Sequence, residues 1–137
     1  MSKVTPYFLF KGNCAEAMEF YKSCFGGELT IVKVEDSPMK AQMPEELQHR
    51  VINSRLVNDD GIEFTASDWL LPNRTPKQGN TVCAYISDTN HEELAQYFAK
   101  LSEGADPNTL DALKQMPFGT YGALTDKYGV RWMFQGK

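Results

Sequence analysis

Glu63 and Arg131 are the charged residues best placed for chemistry, because a sequence repeat puts them at equivalent positions. LVNDDGIEF (56–64) matches LTDKYGVRW (124–132) at a shift of 68 residues, which superposes Glu63 on Arg131. An arginine can hold a carboxylate or phosphate, and a glutamate can act as a general base. The same two residues could instead form an ion pair where two modules meet. Glu63 is therefore a candidate catalytic residue, and the reaction stays open.

The histidines and cysteines do not form a recognisable catalytic or metal-binding pattern. Neither His49 nor His91 has a histidine, cysteine or carboxylate at metal-ligand spacing on a shared face, so surface positions are the simpler interpretation. The three cysteines (Cys14, Cys24 and Cys83) are an odd number without a CxxC motif, which is typical of reduced thiols in a cytoplasmic protein. We expect them to be small buried residues rather than nucleophiles.

Composition argues against several classes of partner. The 137 residues carry a net charge of −4, with a pI near 5.2, whereas a nucleic-acid surface usually needs a basic patch. No run approaches the roughly 18 apolar residues that span a membrane, and the first residues, MSKVTPYFLF, lack the pattern of a signal peptide. We therefore expect one domain that has neither a nucleic-acid nor a membrane partner.

The elements that must position these side chains also occur twice. Residues 7–30 read as strand, asparagine, helix and small-residue turn, and residues 82–107 repeat this order at a shift of 77. The pattern is β-α-β-β-β written twice, which predicts an α+β protein with helices on one side of mainly antiparallel sheet. The other face must meet a partner or curve around a ligand. We place the modules at 1–70 and 80–137, with a linker at 71–79.

Capping residues set the expected helix boundaries. Asn13 is a good N-cap for the first helix, which Gly26-Gly27 ends. A capping box at Thr89 or at Asn90 begins the second helix. Segment 108–118 is ambiguous, because propensity favours a short helix whereas the repeat places a strand there.

Three features have both a structural and a functional interpretation. Loop 36–47 contains two prolines and two methionines, so it either plugs the edge of the core or forms a flap over a pocket. Asp68 starts a turn or acts as a catalytic acid. Trp69 stacks on a ligand or covers the boundary between the modules.

Three motifs resemble one known group of proteins. They are TPYFLFKGNCAEAMEFYKSCFGGEL (5–29), MPEELQHRVINSRL (43–56) followed by GIEFTASD (61–68), and YGALTDKYGVRWMF (121–134). Together they are similar to the vicinal oxygen chelate superfamily of glyoxalases, bleomycin-resistance proteins and extradiol dioxygenases. Within it they resemble the PhnB-like branch, which is also labelled 3-demethylubiquinone methyltransferase-like. The resemblance implies two βαβββ modules that form a cup-shaped sheet with the helices outside.

The resemblance also implies a divalent metal in the cup, but this chain departs from the usual ligands. The ligand positions align with Pro6, Thr65, Met133 and either Thr81 or Cys83, and proline and methionine suit a hard or borderline divalent ion poorly. Relatives often carry a histidine where this chain has Asn53. We therefore expect no metal. The methyltransferase label lacks local support too, because no glycine-rich loop follows the first strand, so we expect no cofactor.

Strand alternation then predicts the lining of the cup. If Thr65 and Met133 point inward, so do the residues two positions away, whereas Phe64 and Trp132 lie under the helices. Phe8 is placed inward as the second residue after Pro6. The predicted ligand-binding residues are Phe8, Asn53, Arg55, Glu63, Thr65, Trp69, Tyr85, Arg131 and Met133.

A mixture of aromatic and polar groups is typical of a small-molecule pocket. The sequence therefore predicts a metal-free protein that binds a small, partly aromatic or anionic molecule. The alternative is an enzyme of the glyoxalase or dioxygenase type with a divalent metal, and a cup filled by its own side chains is a third possibility. The resemblance further implies a homodimer. The identity of the ligand stays open.

Overall fold

The protein is described by a computed structural model that covers residues 1–88 and 90–137. It divides into two compact units, Met1–Pro76 and Lys77–Lys137. Within the described residues each unit contains one α-helix and four strands, which confirms the predicted α+β class. The first unit consists of β1 (Tyr7–Phe10), α1 (Cys14–Phe25), β2 (Glu28–Lys33), β3 (Val51–Val57) and β4 (Glu63–Asp68). The second unit consists of β5 (Ala84–Asp88), α2 (His91–Leu101), β6 (Asp111–Met116), β7 (Gly119–Thr125) and β8 (Arg131–Gly136).

The sheet of the first unit has the order β1-β4-β3-β2, with β1 parallel to β4 and the other pairs antiparallel. Apolar residues of α1 recur at helical spacing and face the sheet. Tyr21 is fully buried, and its ring centroid lies 5.5 Å from that of Phe64 and 6.2 Å from that of Phe8. One face of this sheet is therefore covered by α1.

The second unit repeats this topology with the order β5-β8-β7-β6, and β5 is parallel to β8. The buried face of α2 consists of Leu94, Tyr97, Phe98 and Leu101. Trp132 and Phe134 alternate on the covered face of β8, and the ring of Phe134 lies 5.0 Å from that of Phe98.

The ambiguous segment 108–118 contains the strand β6, as the repeat predicted. Its residues pair with β7, and a register irregularity falls between Asp111 and Lys114. The local preference for a short helix is overridden because a fourth strand completes the sheet.

The two helices begin in different ways. Asn90 accepts a hydrogen bond from the Glu93 backbone N–H at 3.2 Å, so the predicted cap of α2 is confirmed; the alternative cap, Thr89, lies outside the described residues. Asn13 occupies the N-cap position of α1 without a side-chain capping bond. The expected cap is wrong there because the Asp68 carboxylate takes that role from β4.

Neither described helix, Cys14–Phe25 or His91–Leu101, is long and apolar enough to cross a membrane.

Candidate functional site

The face of the first sheet that points away from α1 carries four of the nine predicted ligand-binding side chains, Asn53, Arg55, Glu63 and Thr65. Tyr7 pairs with Thr65, and Thr65 pairs with Arg55, so the three side chains form one row across β1, β4 and β3. Asn53 and Glu63 lie two positions from members of this row and therefore share its face. We call this side of the sheet the open face.

Small side chains on β4 lie between larger side chains on both neighbouring strands. On β4, Thr65 is partly exposed and Ser67 is 4% exposed, while Tyr7 and Leu9 on β1 are 53% and 52% exposed. Neighbouring strands are about 4.8 Å apart, so the Cα atoms of Tyr7 and Arg55 are about 10 Å apart across Thr65. We name this strip of the open face the β4 trough and define it by Tyr7, Leu9, Asn53, Arg55, Thr65 and Ser67.

Glu63 stands at one end of the β4 trough between two cations. Its Oε2 accepts hydrogen bonds from Arg55 Nε at 3.0 Å and from Arg55 Nη2 at 2.8 Å, and its Oε1 accepts one from Lys3 Nζ. These bonds from Lys3 and then Arg55 lower the pKa of the Glu63 carboxyl below its usual value. An ionised carboxylate with a lowered pKa is a weak base, so the geometry does not favour Glu63 as a catalytic base.

The second unit has a corresponding open face with different chemistry. Tyr85 pairs with Met133, which pairs with Ala123, and Tyr85 is 55% exposed. Tyr85 donates its hydroxyl to Gln135 Oε1 at 2.7 Å, just as Tyr7 donates to Ser67 Oγ at 2.9 Å. The duplication therefore preserves a tyrosine that donates to the central strand.

Arg131 also lies on this face, but its charge is used locally. Its Nη1 donates to the Thr109 carbonyl at 2.6 Å and to Thr125 Oγ1 at 3.3 Å, and its Nη2 lies 3.6 Å from Asp111 Oδ2. Glu63 and Arg131 thus each bond to partners in their own unit. These contacts support neither an ion pair between the two residues nor a shared catalytic role for them.

Phe8 is the predicted site residue that the structure places on the wrong side. Its ring lies 5.2 Å from that of Phe64 under α1, and Tyr7 takes the open-face position instead. The shift of 77 that aligns the helices becomes 78 for the first strands, because Tyr7 pairs with Thr65 as Tyr85 pairs with Met133. A slip of one residue moves every side chain of a strand to the other face.

Trp69 and Asp68 make contacts that favour their structural interpretations. Trp69 Nε1 donates to the carbonyl oxygens of Leu71 at 2.8 Å and Arg74 at 3.0 Å, and the Trp69 carbonyl accepts from Arg50 Nη1 at 2.7 Å. Asp68 is 2% exposed, and its carboxylate accepts hydrogen bonds from backbone N–H groups. Trp69 therefore organises the segment after β4, and Asp68 holds the start of α1.

The residues present do not fit the divalent metal that the resemblance implies. Within residues 1–88 and 90–137, no group of three or more histidine, cysteine or acidic side chains could hold a metal ion. Thr65 Oγ1 lies 3.4 Å from the Pro6 carbonyl, and a threonine hydroxyl beside a proline is a weak donor set for such an ion. The described histidine His49 does not approach these residues, because its Nδ1 lies 3.2 Å from Glu35 Oε2.

Loop 36–47 contains short 3-10 turns, and the Gln48 side chain connects two parts of it. Gln48 Nε2 donates to the carbonyls of Lys40 and Met43, both at 2.9 Å. The loop borders an open pocket of about 630 Å³ whose lining includes Glu35 and His49. Met39 is 40% exposed, which argues against the interpretation in which this methionine fills the edge of the core.

The cysteines differ in their surroundings, and this difference predicts their reactivity. Cys14 and Cys24 are buried while Cys83 is partly exposed, so the expectation that all three are buried is wrong for Cys83. Burial raises the pKa of the Cys14 thiol to about 12, and only the thiolate is nucleophilic.

We expect a disulfide reagent at pH 8 to modify Cys83 in the native protein, and Cys14 and Cys24 only after denaturation. The release of the reagent's chromophore should therefore show one fast phase, which belongs to Cys83 and is absent in Cys83→Ser. A fast phase that remains in Cys83→Ser would contradict this assignment.

Comparison with known proteins gives the same fold over the whole chain. A family model described as 3-demethylubiquinone-9 3-methyltransferase matches residues 2–135. Protein YjdN of Escherichia coli (strain K12) is 26% identical over 140 residues, which covers 95% of this chain and 92% of that protein. The crystal structure of protein PA1353 from Pseudomonas aeruginosa is 26% identical, with a TM-score of 0.85 and coverage of 100% and 98%. The PhnB protein from Bacillus cereus, described as a putative 3-demethylubiquinone-9 3-methyltransferase, is 24% identical, with a TM-score of 0.71 and coverage of 99% and 100%.

Proposed function

This chain belongs to the 3-demethylubiquinone-9 3-methyltransferase family, and from that premise we propose that it binds a small aromatic molecule with an anionic group in the β4 trough. The PhnB-like and glyoxalase-type fold expected from the three sequence motifs is confirmed. Proteins of this fold carry different chemistries on similar sheets, so the function must be argued from the side chains of the site.

The β4 trough supports this ligand because an exposed aromatic wall and a cationic wall lie on opposite sides of small residues. Tyr7 and Leu9 offer about half of their surfaces on β1, where an aromatic ring can pack. Across Thr65, the hydrogen bonds from Arg55 to Glu63 use Nε and Nη2, so Nη1 can donate to a ligand. A separation of about 10 Å suits a single ring that bears a carboxylate.

Charge in the trough favours an anion. Lys3 and Arg55 carry two positive charges against the one negative charge of Glu63. The Nη1 of Arg55 is a charged donor, and hydrogen bonds from a guanidinium to a carboxylate are stronger than neutral ones. This arrangement of Tyr7, Thr65 and Arg55 in one row is the observation that carries the proposal.

The alternative of an enzyme has less support in the first unit. General-base chemistry needs a group whose pKa lies near the working pH, whereas the pKa of Glu63 is lowered by Lys3 and Arg55. The methyltransferase in the family name would need a nucleotide-binding loop, and the Lys11-Gly12-Asn13 turn after β1 contains one glycine. The expected homodimer, the absence of a metal and the cytoplasmic location stay predictions.

Titration of the purified full chain tests the proposal. Benzoate supplies the ring and the anion, and benzamide keeps the ring without the charge. We expect Arg55→Gln to weaken benzoate binding by up to about fivefold, because an exposed ion pair contributes up to about 1 kcal/mol and 1.4 kcal/mol is tenfold. Calorimetry or chemical-shift changes of Thr65 and Ser67 would measure the affinity.

Arg74→Gln is the matched control, since Arg74 is an exposed arginine of the loop after β4. It should leave benzoate binding unchanged. Equal binding of benzoate and benzamide, or equal losses in Arg55→Gln and Arg74→Gln, would contradict an anion site at Arg55.

A further inference from the structure

We propose that Glu63 is an internal counter-ion that competes with the ligand for Lys3 and Arg55 and thereby limits the affinity of the β4 trough for anions. This inference rests on the proposed function, because it concerns the same site. It assigns to Glu63 a role in selectivity in place of the catalytic role considered from the sequence.

The geometry shows one carboxylate that engages two cations from separate elements. Lys3 precedes β1, Arg55 belongs to β3, and Glu63 begins β4. Lys3 bonds to Oε1 and Arg55 to Oε2, so each carboxylate oxygen serves one cation. The Glu63 side chain is 17% exposed, whereas those of Lys3 and Arg55 are 63% and 53% exposed. The two cations therefore cover the Glu63 carboxylate, and both of them face outward.

Competition follows from this arrangement. A ligand carboxylate that approaches Arg55 must either share the guanidinium with Glu63 or replace it, and it also meets the repulsion of a fixed negative charge. Lys3 lies outside any strand and has a long flexible side chain, so its ammonium can turn from Glu63 to the ligand. Glu63 thus weakens the binding of every anion.

The Glu63 counter-ion favours anions that also make aromatic or apolar contacts over anions that bind by charge alone. A bare anion such as acetate must overcome Glu63 through its charge alone. An aromatic anion also gains contact with Tyr7 and Leu9, which are apolar or aromatic and half exposed. A neutral aromatic molecule makes that contact without any competition from Glu63. The affinity for anions should therefore depend on the charge at position 63, while the affinity for neutral rings should not.

The experiment compares Glu63→Gln with Glu28→Gln in the full-length chain. Glu28 is the matched control because it lies in the same cross-strand row, where Glu28 pairs with Val57 and Val57 pairs with Glu63. The probes are sodium benzoate and benzamide, and the signal is the Arg55 Nε–Hε resonance of ¹⁵N-labelled protein. We expect Glu63→Gln to bind benzoate about fivefold more tightly at low salt, with benzamide unchanged, and Glu28→Gln to behave as the native chain.

The outcomes separate this inference from the proposed function. If benzoate binds the native chain and Glu63→Gln is no tighter, the counter-ion role is wrong and the ligand site stands. If benzoate binds only Glu63→Gln, the counter-ion role is supported and the native function as an anion-binding protein is wrong. If benzoate shifts the Arg55 resonance in neither protein, both proposals are wrong.

Discussion

Replacement of Asp68 by asparagine should lower the free energy of unfolding by about 3 kcal/mol, because a buried charged acceptor binds three backbone donors. Its Oδ1 accepts from the N–H groups of Gly12 and Cys14, and its Oδ2 accepts from that of Val51, all at 2.9 Å. Asparagine keeps one oxygen for the first two donors. Its amide nitrogen then faces the Val51 N–H, so a donor meets a donor in a buried site.

Asp68 is important because it connects elements that are distant in sequence. It lies at the end of β4 and holds the turn before α1 and the start of β3. An unsatisfied buried donor costs about 1 to 3 kcal/mol, and a charged acceptor is stronger than a neutral one. Both effects act in the same direction in Asp68→Asn.

Urea unfolding followed by circular dichroism would measure the loss. Asp59→Asn makes the same chemical change at an exposed turn position and should alter the free energy of unfolding by less than about 0.5 kcal/mol. Equal effects of the two substitutions would show that the three hydrogen bonds to Asp68 do not stabilise the fold.

Replacement of Gly27 by alanine should destabilise the protein by at least about 3 kcal/mol, because backbone strain and a steric clash add together. Gly27 has a φ of +91°, and a Cβ at this position would lie 2.8 Å from the Val57 carbonyl carbon. The carbonyl belongs to β3, which pairs with β2 immediately after Gly27. The strand pair would have to separate to admit one methyl group.

Gly26 provides a neighbouring control. Its φ is +69°, so alanine is strained there too, but no atom of the described residues beyond its two chain neighbours would lie within 4 Å of the new Cβ. Gly26→Ala should therefore cost about 1 to 3 kcal/mol from backbone strain alone, less than Gly27→Ala. Thermal and urea unfolding of the two variants would give the difference, and a Gly26→Ala loss as large as that of Gly27→Ala would show that strain alone decides both positions.

The repeat made much of the fold predictable from sequence. The shift of 68 residues correctly related the closing strands, since Glu63 pairs with Val57 as Arg131 pairs with Thr125. It also predicted the strand β6 against local propensity. These successes share a cause: apolar periodicity and turn residues are local signals, and a second copy of the same signals reduces the number of topologies that fit.

The site was less predictable because it depends on register and on long-range pairing. The pairing of Tyr7 with Thr65 decides that Tyr7, and not Phe8, lies on the open face. No spacing in the sequence indicated that Lys3 would reach Glu63 across 60 positions. Sequence periodicity can predict which residues of one strand share a face, but not the register in which that strand pairs with its neighbour.

The sequence by itself determined two βαβββ modules, their helices and strands, and the family to which the chain belongs. Only the tertiary structure decided which aromatic side chain lines the β4 trough, that Glu63 is held by Lys3 and Arg55, and that Asp68 is a buried acceptor at the start of α1. The physical reason is that element type follows from contacts within a few residues, whereas the chemistry of a side chain follows from the partners that folding brings to it.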